Sequence, residues 1–178
     1  MPVKHQRGFS LISIVLSIIL MSFALLTVAT ALIPKSQQNV ELIYSAKAAE
    51  LGFAVMDEVL SRQFDQNSGP NGGLPECNGP TGKLCTIPSE LKPEAGETDR
   101  TLFNDVDDFN GLSGNVQDVL GDNLGSVYPN FSISIEVFYD SNLDGIADTV
   151  SGNRKRIVVD VVDPSGQHYP FSAFRGNF

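Results

Sequence analysis

The sequence predicts an α+β fold in which one long N-terminal helix packs on a small antiparallel β-sheet. Three observations predict it. Residues 9–33 contain no charged side chain. Apolar residues then recur at three- and four-residue steps as far as residue 64, the period of a helix with one apolar face. Near residue 131 the pattern changes to strict alternation, which is typical of a half-buried strand.

The apolar stretch "FSLISIVLSIILMSFALLTVATALI" (9–33) is long enough to cross a membrane. A helix needs about 20 such residues to span the hydrocarbon core, whereas the apolar part of a secretory signal has only about 7–15. Lys4 and Arg7 precede the stretch. Basic residues favour the cytoplasmic side, so the sequence predicts a membrane anchor with a cytoplasmic N-terminus and an exported domain over 34–178.

Helical periodicity continues beyond Pro34, where the ring is expected to kink the helix, and ends at about residue 64. Gly52 inside this segment costs about 1 kcal/mol relative to Ala. Because only one face is apolar, this half of the helix is predicted to pack on a globular domain. The predicted apolar face consists of Val40, Ile43, Tyr44, Ala48, Leu51, Val55, Val59 and Phe64.

Glycine, proline, Asn and Asp dominate residues 65–114, which predicts a long loop. It contains the two cysteines of the chain, Cys77 and Cys85. In an exported protein such a close pair predicts a disulfide that closes the loop, with two free thiols or an intermolecular bridge as the alternatives. Zinc is not expected, since the spacing is not CxxC and no His lies nearby.

The last third of the chain predicts three strands in an antiparallel meander. The first covers residues 131–140, the second 156–163 and the third 168–174. Pro170 lacks a backbone donor and therefore predicts that the third strand lies at an edge of the sheet. One face of this sheet is apolar and complements the apolar face of the helix, so helix on sheet is the predicted packing.

Two acidic segments are candidate metal sites. The loop "DSNLDGIAD" (140–148) follows the start of a calcium loop, but Ser151 stands where the usual Glu would be. The same residue types suit a plain hairpin loop, and both interpretations stay open. The candidate Ca²⁺ ligands are the side chains of Asp140, Asn142, Asp144 and Asp148 and the Ile146 carbonyl. The segment "NDVDD" (104–108) could complete a metal shell, although a solvated acidic loop is the favoured interpretation.

Charge and motifs argue against two other function classes. The formal net charge of −9 should repel nucleic acid. The only histidines are His5 and His168, and neither G-x-S-x-G nor H-E-x-x-H occurs. The sequence therefore predicts neither a nucleic-acid-binding protein nor an enzyme.

The segment "RGFSL" followed by an uncharged apolar helix resembles the class III leader of type IV pilins. In that family a prepilin peptidase cuts after the Gly, on the cytoplasmic side, and usually methylates the new N-terminus. The resemblance implies that residues 1–8 form the leader, that Gly8 precedes the cut and that Phe9 becomes the methylated first residue. The helix would anchor the chain in the inner membrane before assembly and pack in the filament core afterwards.

The resemblance extends beyond the leader. The segments "AAELGFAVMDEVLSRQFDQNSGPNGG" and "FNDVDDFNGL" and the cysteine pair are similar to minor pilins of mannose-sensitive haemagglutinin (MSHA) pili. Major pilins carry a Glu four residues after the cut that neutralises the N-terminal amine of a neighbour, and here that position is Ser13. The resemblance therefore implies a minor subunit, whose partners are other pilins, the prepilin peptidase, the inner-membrane assembly machinery and, before assembly, lipid.

Two alternatives share the same features. A minor pseudopilin of type II secretion would have the same leader, helix and fold. A membrane-tethered periplasmic calcium-binding protein would have the anchor and the acidic loop but would never polymerise.

We expect the leader to be removed between Gly8 and Phe9, since a glycine lets the backbone enter a protease site without a Cβ. Intact-mass analysis of the membrane-extracted protein should show the loss of residues 1–8. The variant Gly8→Val should keep its leader. A mature wild-type chain that begins with Met1 or Pro2 would contradict the pilin interpretation.

Overall fold

The computed structural model describes residues 10–69, 74–116 and 123–177. One unit ends at Ile43 and a second begins at Tyr44, so the long helix α1 (Leu11–Leu60) contributes to both. The second unit is a helix on a sheet, and the predicted α+β class is confirmed at that level. Its further elements are three short 3₁₀ helices (Pro88–Glu90, Arg100–Leu102 and Asp107–Phe109) and the strands β1 (Ser113–Asn115), β2 (Ser132–Tyr139), β3 (Arg154–Val162) and β4 (His168–Gly176).

In the first unit, α1 begins with the apolar stretch predicted from the sequence. Its residues Leu11–Thr30 form one helix that is long and apolar enough to cross a membrane. Every side chain from residue 10 to residue 30 is exposed. Within the described part of the first unit, this segment is therefore uncovered.

In the second unit, one face of α1 packs on the sheet. Ala48, Leu51, Val55 and Val59 are buried on this face, as the periodicity predicted. The predicted face was too long at its start, because Val40 and Ile43 precede the second unit and are 45% and 56% exposed. It was also too long at its end. Gln63 and Phe64 follow the helix rather than extend it, and Gln63 instead forms a parallel bridge with Asp105.

The glycine at position 52 is explained by close packing of the edge strand on the helix. A Cβ at Gly52 would lie 2.2 Å from Cε2 of the Phe171 ring on β4. Glycine is therefore needed at this position for close contact with that ring, although it makes the helix itself less stable.

The four strands form one antiparallel sheet in the order β1-β2-β3-β4. The prediction that the strand with Pro170 lies at an edge is confirmed. Strand β1 was not predicted, because its three residues Ser-Gly-Asn are all exposed and show no apolar alternation. Strand β3 begins two residues earlier than predicted, and this shift places Lys155 within the strand, paired with Tyr139.

The loop after α1 is held to the rest of the second unit at several points. Cys77 and Cys85 form the predicted disulfide, with their Cα atoms 4.9 Å apart. Both are buried in a small apolar cluster with Phe64, Leu91 and Tyr139. In addition, the buried Arg100 guanidinium donates from Nε to Glu58 Oε1 of α1 at 3.0 Å. A disulfide and an ion pair thus fix a segment that has few apolar residues of its own.

Replacing both cysteines by Ser should lower the free energy of unfolding by roughly 2–3 kcal/mol, because the eight-residue separation no longer restricts the unfolded chain. Urea unfolding of the detergent-solubilised full chain would measure this, with the wild type under reducing conditions as the control. Two titratable thiols in the native oxidised protein, or an unchanged midpoint, would contradict the bridge.

Candidate functional site

A fully buried lysine lies where the sheet, the end of α1 and the long loop meet. Lys155 is on the inward-facing side of β3, in register with the core residues Ile157 and Val159. Its ammonium Nζ donates to Phe64 O at 2.8 Å, to Asp107 Oδ1 at 2.6 Å and to Asp65 Oδ2 at 3.2 Å. All three protons of the ammonium therefore have acceptors.

Two aromatic rings complete the surroundings of this ammonium. Nζ lies 4.3 Å from the centroid of Phe64 and 5.1 Å from that of Tyr139, within the range of cation–π attraction. The Tyr139 hydroxyl is itself anchored, since it donates to Thr86 O at 2.7 Å. The Lys155 ammonium is thus held both by acidic side chains and by aromatic rings.

Two carboxylates pair with this lysine and three more lie close to one of these or to one another, and we call the five the acidic cluster. Three of them come from the "NDVDD" segment, and these are 0%, 0% and 1% exposed in the order of the chain. The prediction of a solvated acidic loop at 104–108 is therefore wrong. The acidic cluster consists of Asp65, Glu94, Asp105, Asp107 and Asp108.

The segment is buried because it pairs with the chain that leaves α1. Gln63 N donates to Asn104 O at 3.3 Å, and Val106 N donates to Gln63 O at 3.0 Å. Phe103, Val106 and Phe109 then join the main core and pull the intervening carboxylates inward. Sequence periodicity missed this, since these three apolar residues follow neither a helical nor a strand period.

Burial changes the protonation of the acidic cluster. It raises the pKa of Asp107 to about 8, because desolvation and the charges of Asp105 and Asp65 outweigh the opposing effect of Lys155. Burial also raises the pKa of Asp105 to about 7, with Asp108 adding to the shift and Lys155 opposing it. One ammonium does not neutralise this many carboxylates, so near neutral pH the cluster retains protons unless another cation is present.

Part of the acidic cluster has the geometry of a cation site. Glu94, Asp105 and Asp108 each bring a carboxylate oxygen within 4.8 Å of the others. Burial, a hydrogen bond to Glu97 and the charges of Asp105 and Asp108 raise the pKa of Glu94 to about 9. A second group, formed by Asp65 with Cys77 and Cys85, is equally close but cannot supply thiolates, since its sulfurs share the disulfide.

In the calcium loop predicted at 140–148, the carboxylates accept hydrogen bonds from neighbouring groups of the protein. Asp140 is buried, and its Oδ2 accepts from Arg156 Nε at 2.6 Å and from Gly145 N at 3.2 Å. Asp148 Oδ2 accepts from Ser141 N at 2.8 Å. The remaining side chains, of Asn142 and Asp144, bond to each other at 2.8 Å, and Ile146 N donates to Asp144 Oδ1 at 2.8 Å.

These bonds are those of a well-formed hairpin loop. Within the part of the chain that the structure describes, the Asp140, Asp144 and Asp148 carboxylates are not among the groups whose oxygens lie within 4.8 Å of one another. Calcium at this loop stays a prediction.

The other predicted site residues lie in the first unit. Gly8 and Phe9 are outside the described residues, so processing and methylation there stay predictions. Ser13 lies in the exposed part of α1, and its carbonyl accepts from Ser17 Oγ at 2.7 Å.

Sequence reasoning did not assign a role to Lys155, Asp65 or Glu94. A signal for Lys155 was present, because it shares the two-residue period of Ile157, Val159 and Val161 and therefore belongs to the apolar face. A lysine on such a face needs acidic partners. Nothing in the sequence shows which of the 21 acidic residues supply them.

Replacing Lys155 by Met should lower the free energy of unfolding by about 3–5 kcal/mol, because the buried Asp65 loses its counter-ion and Asp107 loses a hydrogen-bond donor. The control is Asp107→Asn, which should cost much less below about pH 7, since Asp107 already holds a proton there. Urea unfolding of the full chain in detergent, with chelator present, would measure both. Equal losses in the two variants would contradict the assigned roles.

The raised pKa of Asp107 also fixes the sign of a pH effect. The native state holds this proton more tightly than the unfolded chain, so stability should fall as pH rises from about 4 towards about 8. In Asp107→Asn this fall should be smaller.

Comparison with known proteins gives no further assignment: no protein-family profile, no curated protein and no solved structure matches the chain.

Proposed function

We propose that this chain is a minor pilin of a type IV pilus of the MSHA kind, acting in pilus assembly or at the filament tip. The observation that carries the proposal is the exposed apolar half of α1. Leu11 and Phe23, for example, are 78% and 70% exposed. An apolar surface of this length requires lipid or other helices to cover it. In a pilin it is covered by lipid before assembly and by neighbouring subunits afterwards.

The polar side chains of this segment are compatible with both environments. Ser17 donates to Ser13 O at 2.7 Å, Ser22 to Ile18 O at 2.8 Å and Thr27 to Ala24 O at 2.8 Å. A hydroxyl that bonds to its own helix leaves no unsatisfied donor in an apolar medium. These residues therefore do not oppose insertion in a bilayer or packing in a helical filament core.

The leader resemblance distinguishes this proposal from an ordinary membrane anchor. Lys4, Arg7 and Gly8 stand before the apolar helix in an arrangement that resembles the leader cut by prepilin peptidases. An anchor that never polymerises requires neither the cut after Gly8 nor a helix that can exchange lipid for partner helices.

The choice of a minor subunit depends on Ser13. In the pilin family a Glu at this position compensates the N-terminal amine of a neighbour inside the apolar core. An uncompensated charge in such a medium costs several kcal/mol. A serine cannot compensate it, which favours a position at the end of a filament, where fewer neighbours surround the subunit.

We expect Ser13→Glu to allow incorporation along the filament shaft, because the carboxylate can then pair with the amine of a neighbouring subunit. Immunogold labelling should shift from filament ends to filament sides. The matched control is Ser17→Glu, which adds the same charge one turn further along the exposed helix and should not produce lateral labelling.

Three results would each contradict a different part of the proposal. Lateral labelling in the wild type would exclude the tip position. Absence of the chain from sheared filaments and from assembly complexes would leave a membrane-tethered protein that does not polymerise. Filaments that form only together with a secretion machinery would instead favour the pseudopilin alternative.

A further inference from the structure

We propose that Glu94, Asp105 and Asp108 form a calcium site in the second unit, separate from the loop at 140–148. The three carboxylates supply oxygens within 4.8 Å of one another. Ca²⁺–oxygen bonds are about 2.3–2.6 Å long, so two ligands on opposite sides of one ion are about 4.8 Å apart. One calcium ion can therefore contact all three residues.

When all three residues are ionised, each has a buried oxygen that receives no hydrogen bond. These are Asp105 Oδ2, Asp108 Oδ1 and Glu94 Oε2. Asp105 and Asp108 are 0% and 1% exposed, so water does not solvate their carboxylates freely. A buried carboxylate oxygen without a partner is costly, and a bound cation removes that cost.

The other oxygens of the two aspartates are held by the backbone. Asp105 Oδ1 accepts from Asp107 N at 2.7 Å. Asp108 Oδ2 accepts from Asn104 N at 2.7 Å and from Asp105 N at 3.0 Å. These bonds fix the orientation of both carboxylates before any ion binds, which lowers the entropic cost of binding.

The buried Lys155 ammonium forms its hydrogen bonds elsewhere, and Lys92, which lines the same cleft as Glu94, forms no ion pair among the described residues. The Lys155 ammonium donates its three protons to Phe64 O, Asp65 and Asp107. Among the described residues, no lysine or arginine forms an ion pair with Glu94, Asp105 or Asp108. Adjacent carboxyl groups without a counter-ion repel one another when they are ionised, and a divalent cation offsets that repulsion.

Of the three residues, Glu94 lies at a cleft that opens to solvent. Glu94 lies outside any helix or strand and is half-buried. It lines this cleft, of about 380 Å³, together with Thr86, Ile87 and Glu90. Water in this cleft can supply the remaining ligands, since calcium takes six to eight oxygens.

The ligand set favours calcium over other divalent ions. All three ligands are hard carboxylate oxygens, whereas zinc prefers nitrogen and sulfur. Magnesium requires bonds of about 2.0–2.1 Å in near-ideal octahedral geometry, which oriented side chains satisfy less readily than the flexible coordination of calcium. A dissociation constant on the order of 10⁻⁴–10⁻³ M is expected, the range of extracellular calcium modules.

The test is calcium titration of the full chain in detergent micelles by isothermal titration calorimetry and thermal unfolding. The wild type should bind one Ca²⁺, and its melting midpoint should rise by several degrees in calcium relative to chelator. Glu94→Gln and Asp105→Asn should each weaken calcium binding at least tenfold. The matched control Asp144→Ala removes a carboxylate from the other acidic loop and should bind as the wild type does.

Three outcomes would overturn the proposal. The first is no binding to the wild type at ~10 mM calcium, tenfold above the weakest expected dissociation constant. The second is binding that Asp144→Ala abolishes while Glu94→Gln retains it. The third is equal affinity for magnesium. Glu94→Gln changes a half-buried loop residue and should fold even where Asp105→Asn does not, and near-UV circular dichroism checks this. Because the titration needs no filament, its result is independent of the proposed pilin function.

Discussion

The Lys155 ammonium is the contact on which the order of the second unit depends, because one buried charge joins three separate segments of the chain. It belongs to β3, bonds to Phe64 O and Asp65 after α1, and pairs with Asp107 in the long loop. An ammonium in the core is tolerated only when all its protons and its charge are compensated. The positions of these three segments are therefore coupled, and none can move without leaving a buried charge unpaired.

Most of the fold follows from periodicity. The apolar segment and the packed face from Ala48 to Val59 were predictable, because the spacing of apolar residues along a helix indicates which side chains lie on an apolar surface. Strands β2 and β4 were predicted to within two residues of their ends. Periodicity failed where no apolar face exists, as in the exposed strand β1, and where the chain leaves the helical path after Leu60 to pair with residue Asp105.

The acidic cluster could not be predicted in the same way, because its members are far apart in the sequence. Asp65 follows the helix, Glu94 lies in a loop, and Lys155 belongs to a strand. Composition alone made the "NDVDD" segment look solvated, since acidic residues are usually exposed. Tertiary structure reverses that expectation, because a backbone bridge to Gln63 and three nearby apolar side chains bury the segment. Neither feature is visible in the local sequence pattern.

The helix–sheet core and the long loop of the second unit are therefore stabilised by partly different interactions. Helix α1 and the sheet bury aliphatic side chains, a contribution that depends little on pH or ions. The long loop adds Phe103, Val106 and Phe109 to this core, but it is also ordered by a disulfide, by Arg100 against Glu58 and by the charges around Lys155. Electrostatic order of this kind responds to whatever occupies the carboxylates, whether proton or metal ion. A change in the solvent should therefore loosen or tighten the loop first and leave the helix–sheet core in place.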